Sequence, residues 1–328
     1  MIELYLKNPN EMEIRQAEAL PSLQADEVKI KIIYGGICGT DLRVLQGKIP
    51  YAAYPLRPGH EVVGRIIEAG KDAKYEIGTR VVVLPNTYCG GCDLCLKGKT
   101  NICRDKKSLG VNFDGAFAEE FIISSRYVLP VPEDLPDEKA VLIEPFAVVV
   151  HALKKVEIQQ GTSVGIVGCG NEGMLAAALA LHLGAHVTAI DINQTKLDLV
   201  KILGDIRVMQ PYEITNETFD VVIEAAGARS SVEQGIQLVS PGGAMVFIGL
   251  TPEANLPVIQ VVRNEITLYG SIIYNFPSDF IQTIEYLRNP EFNAAPVVSK
   301  VMPFTEYQQA FDMAASGNYG KIVLDFQK

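Results

Sequence analysis

Positive charge is sparse in this sequence and nowhere gathered. Against 39 Asp and Glu stand 29 Lys and Arg, a net charge of −10, and no basic run with interleaved aromatic residues occurs. A nucleic-acid backbone needs a basic surface, so this deficit argues against such a partner. The acidic excess needs no partner of its own, since solubility accounts for it. No export leader is expected, since Met1-Ile2-Glu3-Leu4-Tyr5-Leu6-Lys7 holds no long apolar stretch, and a cytoplasmic location is expected. No membrane span is expected either. The best candidate, Met174 to Ile190, is broken by His182, Gly184 and His186, where its period changes from helix to strand. Internal repeats and low-complexity segments are absent. Histidine is rare, with four in the chain. Three of them, His151, His182 and His186, have no ligand partner at usable spacing, because Gly184 ends the helix between the latter two.

The remaining one, His60, lies in Gly59-His60-Glu61, preceded by Cys38-Gly39-Thr40-Asp41 and answered much later by Glu144-Pro145. A thiolate, an imidazole and carboxylates are the donors that hold a catalytic zinc with one position open. Taken singly, Cys38 would be a small buried hydrophobe and His60 a satisfied core histidine. As a constellation they specify more. Asp41 is expected to hold the outer nitrogen of His60. A second group, Cys89, Cys92, Cys95 and Cys103, packs four thiols into fifteen residues, with Gly90, Gly91 and Gly98 allowing the backbone to curl round an ion. Its spacing predicts a closed, structural zinc. Two disulfides or an iron–sulfur cluster would draw on the same residues, the disulfides only in an oxidising compartment.

A third motif is Gly168-x-Gly170-x-x-Gly173, which follows a short apolar strand, opens a helix, and is answered by Asp191 at the end of the next strand. Gly168 permits a tight turn, Gly170 the approach of backbone to a pyrophosphate, and Gly173 close helix packing, with Asn171 and Glu172 between. Asp191 would accept hydrogen bonds from ribose hydroxyls and repel a 2′-phosphate. Ile192 and Asn193 supply no cation to offset that, so NAD is expected over NADP.

At 328 residues the chain has room for about two domains. Alternating Val28-Lys29-Ile30-Lys31-Ile32, with similar runs at Glu61 to Glu68 and Thr79 to Leu84, predicts a compact β body. From Thr162 strands and helices alternate, with strands expected at 163–167, 186–191, 206–210, 219–224, 244–248 and 268–272. Six such strands predict a doubly wound parallel sheet. The last would lie at an edge that pairs with a second subunit. Helices at 278–287 and 304–315 and strands at 297–302 and 321–326 follow.

Gly36-Ile37-Cys38-Gly39-Thr40-Asp41, Gly59-His60-Glu61, the four-cysteine lobe, Asp114-Gly115-Ala116-Phe117-Ala118-Glu119, Glu144-Pro145 and the glycine motif stand in the order seen in zinc-dependent medium-chain dehydrogenases. The chain resembles that family over nearly its whole length. It is most similar to the polyol branch of sorbitol, butanediol and threonine dehydrogenases, because residue 144 is Glu where other alcohol dehydrogenases carry Cys. The resemblance implies an α/β chain with a GroES-like β-barrel catalytic domain, residues 1–145 and 275–328, and a Rossmann NAD-binding domain, residues 146–274. It implies two zincs per subunit, one on Cys38, His60 and a shell of Glu61 and Glu144, the other on the four cysteines. Hydride would pass between NAD and a small secondary alcohol, polyol or vicinal diol, with Thr40 carrying the substrate proton, in a homodimer or homotetramer.

Two departures matter. Relatives often place a histidine where this chain has Arg43, and an arginine cannot shuttle protons near neutrality. Arg43 then binds an anionic part of the substrate, leaves the relay to cofactor hydroxyls or water, or is a surface residue. Sorbitol dehydrogenases carry an arginine near Tyr274-Asn275-Phe276, and none occurs here between Asn264 and Tyr286, which disfavours sorbitol itself. A zinc-free NADPH-dependent quinone or enoyl reductase of the same fold would need no Cys38, His60 or Glu144, and their presence argues against it. A non-enzymatic zinc-stabilised binding protein is the other alternative.

Overall fold

The computed structural model describes residues 1–18 and 20–328. A hairpin of β1 (Ile2–Asn8) and β2 (Glu11–Gln16) leads into β3 (Glu27–Gly36), β4 (Glu61–Ala69), β5 (Arg80–Val83), β6 (Glu120–Ser124) and β7 (Val128–Pro130). The alternation seen in the sequence becomes a face of β3, where Val28, Ile30 and Ile32 are fully buried. β3 pairs antiparallel with both β4 and β6, and its last residue, Gly36, lies opposite Glu61 at the start of β4. That register sets the segment after β3 beside the one before β4.

The second body is a parallel sheet of β8 (Ser163–Val167), β9 (His186–Ile190), β10 (Ile206–Met209), β11 (Phe219–Glu224), β12 (Val239–Phe247) and β13 (Thr267–Gly270). Their spatial order is β10-β9-β8-β11-β12-β13, so the winding reverses between β8 and β11. In doubly wound sheets ligands bind at this reversal, beyond the carboxyl ends of the strands. Expected strand bounds hold within a residue or two except in β12, which starts five residues earlier than the apolar run suggested. Its pairing with β11 slips between Phe219 and Val221, and Gly242 there has φ +77°; the strand reaches back through an irregularity.

The chain then returns. β14 (Val298–Pro303) pairs with β15 (Lys321–Asp325), and β15 pairs antiparallel with β3, so the tail completes the first sheet in the order β14-β15-β3-β4-β5-β7. The helix Ile143–Leu153 is buried on almost every face and packs on the helix Ser278–Arg288. One apolar cluster runs continuously from Val63 and Val82 of the first sheet through this helix to Ile166 and Ile223 of the second. The cleft between the sheets is thereby set on a solid base. Among the described residues no helix is long and apolar enough to cross a membrane.

Candidate metal and cofactor site

Asp41 draws the two halves of the metal motif together. It sits in the first turn of the helix Gly39–Leu45, almost fully buried; one carboxylate oxygen accepts from the Cys38 N–H at 2.9 Å and the other from the Gly59 N–H at 3.2 Å. The second oxygen also lies 3.3 Å from Nδ1 of His60, which has no aligned hydrogen-bond partner. Donor atoms of Cys38, His60 and Glu61 all fall within 4.8 Å of one another. Sulfur, nitrogen and oxygen donors so gathered fit a zinc ion. Burial pushes the Cys38 thiol up, reinforced by Glu61 and opposed by His60. For His60 burial acts downward, yet Asp41 and Cys38 outweigh it and hold the imidazole well above its usual range.

Glu144 stands outside that trio. Its Oε1 accepts from the Tyr274 hydroxyl at 2.7 Å; that hydroxyl accepts from the Asn86 amide at 3.1 Å, whose oxygen accepts from Ser108 Oγ at 2.9 Å. Burial raises the Glu144 carboxyl to about 7, with His60 acting against it. Glu61 has a partner 260 residues away in the chain. Lys321 of β15, fully buried, donates to both its oxygens at 2.6 and 2.5 Å. Burial works against the Lys321 charge, and Glu61 more than restores it.

In the four-cysteine lobe Cys89 Sγ lies 4.0 Å from Cys95 Sγ and 3.6 Å from Cys103 Sγ, and the four sulfurs share one 4.8 Å cluster. A tetrahedral ion with Zn–S of about 2.3 Å sets its sulfurs about 3.8 Å apart. The separations fit that ion, and each of the six cysteines is a free thiol, so the disulfide alternative falls. Backbone N–H groups of Cys95 and Arg104 lower the Cys92 thiol to about 6, poised as a thiolate.

The glycine motif forms the turn from β8 into the helix Asn171–His182. Gly168 has φ +96°, and a side chain on Gly173 would strike the Gly168 carbonyl oxygen, so the helix seats directly on the turn. Around Gly170 nothing lies within 4 Å of where a Cβ would stand, the helix has no side-chain cap, and Asn171 Oδ1 is buried without a partner. Free N–H groups and open space fit a dinucleotide phosphate, which is itself an acceptor and leaves the Asn171 oxygen to a hydroxyl or water donor. Glu172 is in the first helical turn and faces the cleft. Asp191 accepts from the Cys169 N–H at 2.7 Å and the Asn193 N–H at 2.8 Å. The chain does bring a cation to this place: burial lowers the Lys196 pKa, and Asp191 opposes that shift. Lys196 lies in the first turn of the helix Gln194–Lys201, a position that helix periodicity indicates.

Both groups open on one cleft of about 360 Å³, lined by Cys38, Thr40, Arg43, His60, Glu61 and Glu144 on one side and by Glu172, Ala225, Gly227 and Gly249 on the other. The alcohol dehydrogenase GroES-like domain profile matches residues 24–133, and the zinc-binding dehydrogenase profile matches residues 173–289. An L-threonine 3-dehydrogenase of Proteus mirabilis is 32% identical over 331 residues, covering 94% of each chain. A zinc-binding dehydrogenase from Sinorhizobium meliloti 1021, solved with NADP bound, superposes with a TM-score of 0.92 at 26% identity, covering 99% of this chain and 98% of that one. Galactitol-1-phosphate dehydrogenase from Escherichia coli gives 0.91 at 28% identity, covering 99% and 100%.

Proposed function

The chain belongs to the zinc-dependent alcohol dehydrogenase family, and from that premise we propose that it oxidises a secondary alcohol, polyol or vicinal diol reversibly in the cytoplasm, with NAD as hydride acceptor. The observation that carries this reading is the shared cleft, in which a sulfur, nitrogen and oxygen donor set faces a phosphate-binding turn. Zinc held there would supply a Lewis acid for the substrate hydroxyl. Cys38 and His60 are assigned as ligands, with Glu61 and Glu144 as the carboxylate shell, and Cys89, Cys92, Cys95 and Cys103 as the structural site. Asp41 orients His60, and Thr40 passes the substrate proton. Gly168, Gly170, Asn171, Glu172 and Gly173 cradle the pyrophosphate. Asp191 binds the ribose and repels a 2′-phosphate; Lys196, half-buried, donates to the Tyr319 carbonyl at 3.0 Å. The catalytic domain is assigned to residues 1–145 and 275–328, and the cofactor domain to 146–274. Subunits would meet along β13.

The test is a zinc assay with a spectrophotometric one. Two zincs per chain, growth of absorbance at 340 nm with NAD and a diol, and loss of turnover on mild chelation are expected. A chain that holds the lobe zinc but turns over no alcohol with either nucleotide would sink the reading and leave a zinc-stabilised binding protein.

A further inference from the structure

The cleft carries two cations that no acid balances. Lys106 and Ser108 follow the four-cysteine lobe, Ser108 in an antiparallel bridge with Asn86. Both line the cleft, while Lys107 turns outward and stands 5.1 Å over the Phe113 ring. Lys106 is half-buried, and its ammonium donates to the Asn101 carbonyl at 3.2 Å. A lysine has three N–H donors, so two are left for something else. Arg43, in the last turn of the helix Gly39–Leu45, lines the same cleft. Among the described residues neither cation has a carboxylate within 4.0 Å, whereas the buried cations Arg57, Arg80 and Lys321 each have one. A partly desolvated charge without a counter-ion costs stability. Lys106 bears that cost, Arg43 being exposed, and a neutral alcohol would give no return for it.

Resting on the dehydrogenase reading of this cleft, we propose that the substrate alcohol carries an anionic group, a phosphate monoester or a carboxylate, held by Lys106 and Arg43 with Ser108 and Asn86 beside them. Of the other acids in the lining, Glu61 and Glu144 belong to the metal shell and Glu172 to the phosphate turn. The cations are therefore the groups free to select substrate.

The zinc-loaded protein is tested on matched pairs: a hexitol against its 1-phosphate, and 2,3-butanediol against 3-hydroxybutyrate. The anionic member of one pair should show at least about tenfold higher kcat/KM, the pair affected telling phosphate from carboxylate. Lys106→Met and Arg43→Met should each cut that ratio by about tenfold, the loss of a charge-assisted hydrogen bond. A ratio cancels any general loss of activity. Calorimetric binding of the four compounds is measured alongside. Anion binding without turnover would uphold the anion site and sink the dehydrogenase reading. Turnover that favours neutral members, a ratio unmoved by Lys106→Met, or variants that raise only the KM for NAD would overturn the proposal.

Discussion

At the scale of single residues the pairing of Lys321 with Glu61 has the largest energetic consequence. Both side chains are fully buried, and two N···O contacts of 2.5 and 2.6 Å join them. The attraction in that environment barely offsets the loss of hydration, so the pair adds little net stability, but removing one partner strands the other. In metal-stripped protein, where Glu61 keeps only the weaker attraction of His60, Lys321→Met should destabilise the fold by up to roughly 3–5 kcal/mol. Lys321→Met combined with Glu61→Gln should recover most of that loss, because no charge is then left alone. Denaturant titration of the two variants checks this. If the double variant unfolds no later than the single one, the loss comes from packing of the lysine stem and not from the stranded carboxylate.

Among the elements, the turn from β8 into the helix Asn171–His182 does the most with the fewest atoms. The helix start can lie on the Gly168 carbonyl only because residue 173 has no side chain, and this contact aims the uncapped N–H groups at the space beside Gly170. Gly173→Ala should push the helix off the turn, weakening NADH binding about tenfold or more and costing about 1–3 kcal/mol of stability as overpacking does. NADH fluorescence titration reads the first quantity. An unchanged affinity would mean that the phosphate contacts do not come from this helix end. The motif was plain in the sequence because its glycines answer to local sterics, which local order determines. The early start of β12 was not, since Ser240-Pro241-Gly242-Gly243 reads as a turn and only the pairing of Val239 with Phe219 of β11 draws it into the sheet. Lys106 escaped notice for a similar reason: which of two adjacent lysines faces the cleft depends on the path of the lobe.

On the scale of the whole molecule, the metal-binding trio was legible because its residue types are rare and sit in short motifs. Lys321 and Tyr274 were not, for they reach Glu61 and Glu144 across 260 and 130 residues, and nothing near them in the chain announces an acid partner. The same view brings out the free edge. β13 ends the parallel sheet, and the preceding helix Val258–Arg263 exposes Val258, Ile259 and Val262 at 67, 71 and 69%. Leu256 is also exposed at its start. One apolar helix face beside an unpaired strand is a costly surface in water, and a two-fold copy would cover both at once by extending the sheet. Sedimentation should therefore find at least two chains per particle at micromolar concentration. Ile259→Asp with Val262→Glu should shift the particle to a monomer, since each buries a carboxylate where the partner's apolar face would lie. If the unaltered protein sediments as a stable monomer, the edge is closed by some other means and the pairing along β13 is wrong.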